Sequence, residues 1–440
     1  MASIVKPCLV GPPTAWIEAA RLIARWLAER ERIDRLLEAL PSALSGVERA
    51  RCQHLVMGVV RNAGRLEAAL RPLFAHPPRF ITRAVLFVAG YELLDAGPAG
   101  AIPQIVHHAV AQARALASEP EARLVNAVLR RLSQALNAQA APPRIASAEE
   151  LAAYFSHPDW LVRRWLAQHG AAGTRALLEW NQRPAVIYAR VRPGPAGVEP
   201  EVAAYLKPTP WAGFFEVAAG HWAEIEPRLK DGRVYLQDPV TRLPVDLLAP
   251  LPGESVLDVC AAPGGKSLLI ADRLAGGPGK GLLVAMDLPG ERIARLRENL
   301  ATVTGVDTAL VEGDATAGAA AHLKARGLPE SYPAVLVDVP CSNTGVMRHR
   351  ADVKWRLQEG DFRKHSRQQL ALLEACSRLV APGGRLVYST CSIDTDENQG
   401  VITAFLKNSA GRFALESKAL SLPWVTGHDG AAAFLLRRGV

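Results

Sequence analysis

The chain has 440 residues, 49% of them hydrophobic and 21% charged, and a net charge of +8. That is the composition of a globular protein of roughly three domains. No apolar run reaches the ~20 residues of a membrane span and residues 1–13 lack a secretory pattern, so a cytoplasmic protein with no membrane partner is expected. The six cysteines (Cys8, Cys52, Cys260, Cys341, Cys376 and Cys391) form no CxxC pair, which points to free thiols in a reducing compartment and to no metal centre. Residues 1–150 carry 18 Lys and Arg against 13 Asp and Glu. That bias suits a nucleic-acid partner and suits an ordinary solvated surface equally well.

In chain order, residues 14–135 read as helical throughout. Ile23, Trp26, Leu27, Ile33, Leu36, Leu37 and Leu40 recur at helical spacing, and prolines at 41, 72, 77, 78, 98 and 103 separate amphipathic segments over 47–70, 80–94, 105–116 and 123–132. Residues 136–148 form a small-residue linker bearing Pro142 and Pro143. Helices over 160–170 and 173–180 and a strand over 186–191 then give a mixed segment. From about residue 230, strand-like runs (255–259, 281–286, 308–311, 334–337, 385–389) alternate with helical ones (266–274, 290–302, 367–379), the pattern of a doubly wound parallel sheet. The expected fold is multidomain: an all-α domain over 1–140, a small α+β domain over 150–228, and a Rossmann-like α/β domain over 229–440.

Cys341, after Val335–Pro340, and Cys391, after Leu386–Thr390, both follow β-branched runs. Both are therefore placed at the carboxyl ends of strands, where open α/β sheets bind ligands. Two thiols there suggest covalent chemistry on an electrophilic carbon. Upstream, Val256 to Ser267 is a strand, a small-residue turn (Cys260, Ala261, Ala262, Pro263, Gly264, Gly265) and a helix that begins with Lys266. It matches neither GxxxxGK[ST] nor GxGxxG, which disfavours a pyrophosphate. Asp287 at the end of the next strand is placed to accept the hydroxyls of a ribose, and Asp314 and Asp338 follow the third and fourth strands. Each acid alone reads more readily as a turn or helix cap. Together they suit adenosine with a non-phosphate tail, as in S-adenosylmethionine.

The Cys-Ala-Ala-Pro-Gly-Gly-Lys loop, Asp-Val-Pro-Cys-Ser (338–342) and Ser-Thr-Cys-Ser (389–392) resemble the motifs of RNA 5-methylcytosine methyltransferases of the Sun/NOP2 type. Residues 55–61 and 124–131 resemble the NusB-like RNA-binding module, and 156–162 and 180–182 resemble the segment that joins it to the catalytic domain. This order of parts is that of the RsmB-type branch, whose substrate is small-subunit rRNA. The resemblance implies a chemistry in which a thiolate adds to cytosine C6 so that C5 can take a methyl group. It makes Cys391 the nucleophile and gives Cys341 a part in product release. Asp338 is expected on the N3/N4 edge of cytosine, and Lys266 is expected to lower a thiol pKa or steady the base. DNA cytosine-5 methyltransferases use the Pro-Cys cysteine, so Cys341 is the rival nucleophile. The expected cofactor set is Cys260, Ala261, Ala262, Pro263, Gly264, Gly265, Lys266, Asp287, Arg292, Asp314 and Asp338. Cys8, Cys52 and Cys376 read as small buried hydrophobes.

The basic stretch Met347–Arg356 with Arg363, Lys364 and Arg367 is expected to grip phosphates, with Trp355 stacking on RNA; a solvated helix face is the alternative. Arg130 and Arg131 read either as an RNA contact or as a helix C-terminal charge complement. Departures from the family pattern are Asn343 for Gly or Ala, Pro239 after Gln237-Asp238, Arg192 for Asn, and 428–434 for Asp-Gly-Phe-Phe. The remaining alternatives are tRNA or another rRNA site as substrate, and a non-catalytic RNA-binding assembly factor. Nothing in the sequence demands more than a monomer.

Overall fold

The computed structural model describes residues 14–96, 101–193, 203–276 and 279–440; Cys8 lies outside them. The described residues form two units, one drawn from 14–184 with 347–357 and one from 185–346 with 358–440. The segment expected as a middle domain is thus divided: 150–184 belong to the first unit and 185–228 to the second. No described helix is long and apolar enough to cross a membrane.

The first unit contains helices α1 (Ala15–Glu29), α2 (Ile33–Glu38), α3 (Gly46–Leu70), α4 (Phe80–Asp95), α5 (Ile102–Leu116), α6 (Glu119–Asn137), α7 (Ala148–Tyr154) and α8 (Asp159–Gln182). The helical run expected over 15–40 breaks at Arg30, whose left-handed backbone (φ 52°) caps α1. Ser45 caps α3, and Ser147 with Glu150 forms a capping box on α7, which satisfies first-turn N–H groups. Apolar faces meet in one core that includes Trp26, Val56, Val60, Leu66, Phe87 and Leu129. Arg130 and Arg131 are exposed and lie well inside α6, which removes the reading of a C-terminal charge complement.

Gly58 of α3 sits where Tyr91 crosses: a Cβ there would lie 2.0 Å from the ring Cζ. Gly58→Ala should therefore destabilise this unit by about 1–3 kcal/mol through overpacking, overriding the ~1 kcal/mol helix-propensity gain. Chemical denaturation of the two proteins measures the sign.

Residues 347–357 overturn one expectation. Lys354, 1% exposed, donates from Nζ to the Arg61 carbonyl (2.8 Å), and Trp355 donates from Nε1 to the Val60 carbonyl (2.8 Å). Arg348 is buried over the Trp180 ring, 4.4 Å from its centroid, and donates to the Pro184 carbonyl. Ala351 joins the helical core, and Asp352 accepts from Arg356 (2.8 Å). These side chains build the helical unit and do not offer a stacking platform for RNA. A lysine inside a helical core has no periodicity signal, because buried charge runs against the usual pattern.

In the second unit, β1 (Tyr188–Val191), β2 (Leu206–Pro208), β3 (Phe214–Val217) and β4 (Val234–Leu236) make an antiparallel sheet of order β2-β3-β1-β4. A second sheet contains β5 (Ser255–Val259), β6 (Gly281–Asp287), β7 (Val306–Glu312), β8 (Tyr332–Asp338), β9 (Val380–Thr390), β10 (Phe413–Ser421) and β11 (Ala431–Arg438). Its order is β10-β11-β9-β8-β5-β6-β7. The run from β9 to β7 is parallel, as expected for a Rossmann-like fold, whereas β11 and β10 add antiparallel. The reversal of strand order beside β5 opens a crevice at its carboxyl end. Cys260, Cys341 and Cys391 follow β5, β8 and β9 at that edge.

Candidate active site

The loop after β5 turns sharply, with left-handed backbone at Cys260 (φ 61°) and Gly264 (φ 108°), and enters the helix Gly265–Leu274. Asp287 holds it from below: its Oδ2 accepts the Ala262 N–H (2.8 Å) and its Oδ1 the Leu288 N–H (2.7 Å). Arg292 donates to the Ala262 carbonyl (3.3 Å) and Asn299 to the Pro263 carbonyl (2.6 Å). A cavity of about 240 Å³ opens beside the loop. Of the expected cofactor residues it is lined by Cys260, Ala261, Ala262, Pro263, Gly265, Lys266 and Asp338. Gly264, Asp287, Arg292 and Asp314 do not line it; Asp314 accepts from Thr316 Oγ1 (2.7 Å) and from the Thr316 N–H (2.8 Å), and these bonds, the hydroxyl's first, lower its pKa.

Six lining residues were not anticipated as site residues: Tyr235, Leu236, Gln237, Asp238, Thr241 and Asp258. Asp258 is fully buried; its Oδ2 accepts from Ser267 Oγ (2.6 Å), while its Oδ1 has no hydrogen-bond partner. Burial pushes its pKa up to about 7. Gln237 is 7% exposed and its Nε2 is likewise unpartnered. An acid inside a strand was the available signal, since buried aspartates are rare without a partner.

Lys266 Nζ donates to Asp338 Oδ2 (2.7 Å), and Ser389 Oγ donates to Asp338 Oδ1 (2.5 Å). Burial works against the Lys266 ammonium, but Asp338 outweighs it and the Cys391 sulfur adds to that, so its pKa is raised. The two sulfurs of Cys341 and Cys391 lie 3.1 Å apart. The hydrogen bond with Cys391, then burial, raises the Cys341 pKa well above the ordinary thiol value. Asn343 has left-handed backbone (φ 60°), donates to the Cys341 carbonyl (2.8 Å) and accepts from Cys391 Sγ (3.3 Å). Burial pushes Cys52 and Cys376 up to about 12, consistent with their reading as inert core residues.

Glu397, fully buried, anchors the loop after Cys341. It accepts from the Ser342 N–H (2.9 Å), Ser342 Oγ and Gln369 Nε2 (3.0 Å), and His365 Nδ1 lies 3.2 Å away. Gly345 N donates to the Cys391 carbonyl (3.0 Å) and Gly430 N to the Gly345 carbonyl (2.8 Å). A Cβ on Gly345 would stand 2.3 Å from the Gly430 oxygen, so glycine is required where the loops cross.

The description 16S rRNA methyltransferase RsmB/F matches residues 245–423, and that of the NusB family matches 15–134. Ribosomal RNA small subunit methyltransferase B of Sodalis glossinidius is 32% identical over 422 residues, 92% of each chain. The chain belongs to the RsmB/F methyltransferase family. Its fold is shared with the crystal structure of PH0851, at 22% identity and a TM-score of 0.75 over 98% of this chain and 100% of that one. It is also shared with NSun6 from Pyrococcus horikoshii solved with SFG, at 18% identity and a TM-score of 0.53 over 64% of this chain and 98% of that one.

The cofactor of this RsmB/F methyltransferase is S-adenosylmethionine. The cavity fits it: an unpartnered acceptor, Asp258 Oδ1, and an unpartnered donor, Gln237 Nε2, suit an amino-acid zwitterion. Asp258 also gives a pH dependence. Its folded pKa lies above the unfolded ~3.9, so in the empty protein its ionisation is disfavoured and costs stability as pH rises through about 7. An ammonium beside it favours the carboxylate. S-adenosylhomocysteine should therefore bind up to ~10-fold more tightly at pH 8 than at pH 6, with proton release at pH 6. Titration calorimetry in two buffers checks both, and Asp258→Asn should flatten the profile.

Proposed function

We propose that this chain methylates C5 of a cytosine in small-subunit rRNA through a covalent adduct between Cys391 and C6. The observation that carries the reading is the pair of thiols 3.1 Å apart at the ends of β8 and β9, beside the Lys266–Asp338 pair that also walls the cofactor cavity.

Cys391 is the nucleophile in this reading because the contact with its sulfur, and then burial, disfavour ionisation of Cys341. A Cys391 thiolate adds to C6, and the C5–C6 π pair moves into the ring toward N3 and O2. S-adenosylmethionine, when bound, supplies the electrophilic methyl group that C5 then takes. The bond to C6 removes the charge on Cys391 that opposes ionisation of Cys341. Cys341 can then release its proton to solvent and, as thiolate, accept the C5 proton; the C5–C6 double bond re-forms as the S–C6 bond breaks and Cys391 leaves as thiolate. Asp338, held on both oxygens by Ser389 and Lys266, keeps lone pairs for the exocyclic amine of cytosine and repels the O4 of uracil. Lys266 balances that charge.

The target base must leave its stack to reach both thiols and the methyl donor. Exposed Arg363, Lys364 and Arg367 on the helix Asp361–Ser377, and Arg123, Arg130 and Arg131 on α6, are the phosphate-positioning groups in this reading. The test is incubation of the purified protein with small-subunit rRNA, large-subunit rRNA and tRNA, followed by nucleoside mass spectrometry. Appearance of 5-methylcytidine at one site in small-subunit rRNA alone is expected. Product in tRNA only would move the substrate, and binding without product on any RNA would leave an assembly factor.

A further inference from the structure

Arg192 stands where the family pattern has asparagine, and the structure shows what it does. Arg190 and Arg192 of β1 and its end both grip Asp272, on the helix that follows the cofactor loop: Arg190 Nη1 at 2.5 Å from Oδ2 and Arg192 Nη2 at 2.8 Å from Oδ1. All three side chains are nearly buried, and Arg192 also donates to Thr302 Oγ1 (2.9 Å). Arg190 Nε donates to Gln237 Oε1 (2.8 Å), while its Nη2 is buried without a hydrogen-bond partner. A guanidinium has no acceptor. It can face only the oxygen end of the amide, so the Gln237 Nε2 must point away from it, into the cavity wall beside Gly265. A Cβ on Gly265 would lie 3.1 Å from that nitrogen, which puts the donor next to the N-terminus of the ten-residue helix Gly265–Leu274.

We propose that Gln237 is the carboxylate-binding residue for the amino-acid end of the cofactor, and that Arg190, clamped by Asp272, is a positioning residue that sets the polarity of its amide. Asp258 takes the ammonium of the same zwitterion. This rests on the cavity being the S-adenosylmethionine site. Without Arg190, the amide is free to turn its oxygen toward the carboxylate, and a binding contact becomes a repulsive one. Arg192 contributes to the Asp272 clamp, and its side-chain hydrogen bonds among the described residues go to Asp272, Gly232 and Thr302 and not to Gln237, so it serves as the control for a general loss of packing.

Two ligands separate the amino-acid end from the rest: S-adenosylhomocysteine carries it and 5′-methylthioadenosine lacks it. Calorimetric Kd values for both would be measured on wild type, Gln237→Glu, Gln237→Leu, Arg190→Met and Arg192→Met. Gln237→Glu keeps the bond from Arg190 and the shape, and should weaken S-adenosylhomocysteine by about 10- to 100-fold while leaving 5′-methylthioadenosine within about twofold. Gln237→Leu and Arg190→Met should act in the same sense, and Arg192→Met should leave the ratio of the two affinities unchanged. An unchanged ratio in Gln237→Glu overturns the proposal. If Arg190→Met loses both ligands its fold has failed, and the two Gln237 variants decide. Wild type that binds neither ligand would overturn the cofactor site itself, a result distinct from failure of the Gln237 assignment.

Discussion

Cys391→Ala should abolish methylation and adduct formation together, whereas Cys341→Ala should trap the RNA on the protein. The two outcomes follow from the same 3.1 Å pair. Removing the Cys391 sulfur removes the only atom that forms the bond to C6, and turnover should fall by at least about a thousandfold, the scale of losing a covalent nucleophile with its acid–base partner. Removing the Cys341 sulfur leaves addition and methyl transfer intact and takes away the acceptor of the C5 proton. Turnover should then fall by about 10²–10⁴-fold, with a slow-migrating protein–RNA band that survives denaturing electrophoresis and digests to a nucleotide-modified peptide containing Cys391. If the roles were exchanged, as in DNA enzymes, the band would appear with Cys391→Ala and vanish with Cys341→Ala, and the mechanism proposed above would fall.

Glu397→Ala should be among the most destabilising single substitutions in the catalytic unit. Its buried carboxylate collects the Ser342 N–H and hydroxyl and Gln369, with the partly exposed His365 ring nitrogen 3.2 Å away. Truncation would leave the Ser342 and Gln369 donors without this acceptor, a loss of about 3–5 kcal/mol, and would release the loop that carries Cys341. Burial acts to raise the Glu397 pKa, but His365 and Ser342 outweigh it and the net shift is downward. A lowered carboxyl pKa contributes stability that is complete above the unfolded value of ~4.3 and is lost as pH falls through the folded value. Wild type should accordingly lose stability below about pH 4, and Glu397→Ala should lose it less steeply there while being weaker at neutral pH. Urea titrations of both proteins at several pH values read this directly. Parallel curves, offset by a constant amount down to pH 3, would show that the carboxylate is not the titrating group.

The parallel strands could be read from the sequence because each is a short β-branched run bounded by turn residues, and their acids and thiols fall at the ends of those runs. The expected strand 255–259 and the observed β5 have the same bounds. The antiparallel β11 escaped notice because Ala431, Ala432 and Ala433 carry no β-propensity; cross-strand burial against β9 holds them. The loop from Cys260 to Lys266 carries a legible motif, whereas Gln237 and Asp258 stand out only through a buried polar atom that has no hydrogen-bond partner in the folded chain. Arg192 looked like an anomaly until Asp272, eighty positions away, was placed opposite it. The basic stretch after Cys341 misled for the opposite reason: charge is normally solvated, and here Lys354 and Arg348 go into a core.

The helical unit is discontinuous in the chain, closed by residues 347–357, and this has a consequence for synthesis. Roughly 170 residues separate Pro184 from Leu357, which at ~5–20 residues per second means a delay of about 10–35 s on the ribosome. During that interval the Val60 and Arg61 carbonyls await Trp355 and Lys354, and the nascent helices are incomplete. A ribosome stalled at residue 200 should present a protease-sensitive helical segment, and one stalled far enough past residue 357 to free it from the exit tunnel should present a resistant one. The helical third of the polypeptide, first to be translated, would then be among the last to reach its final form.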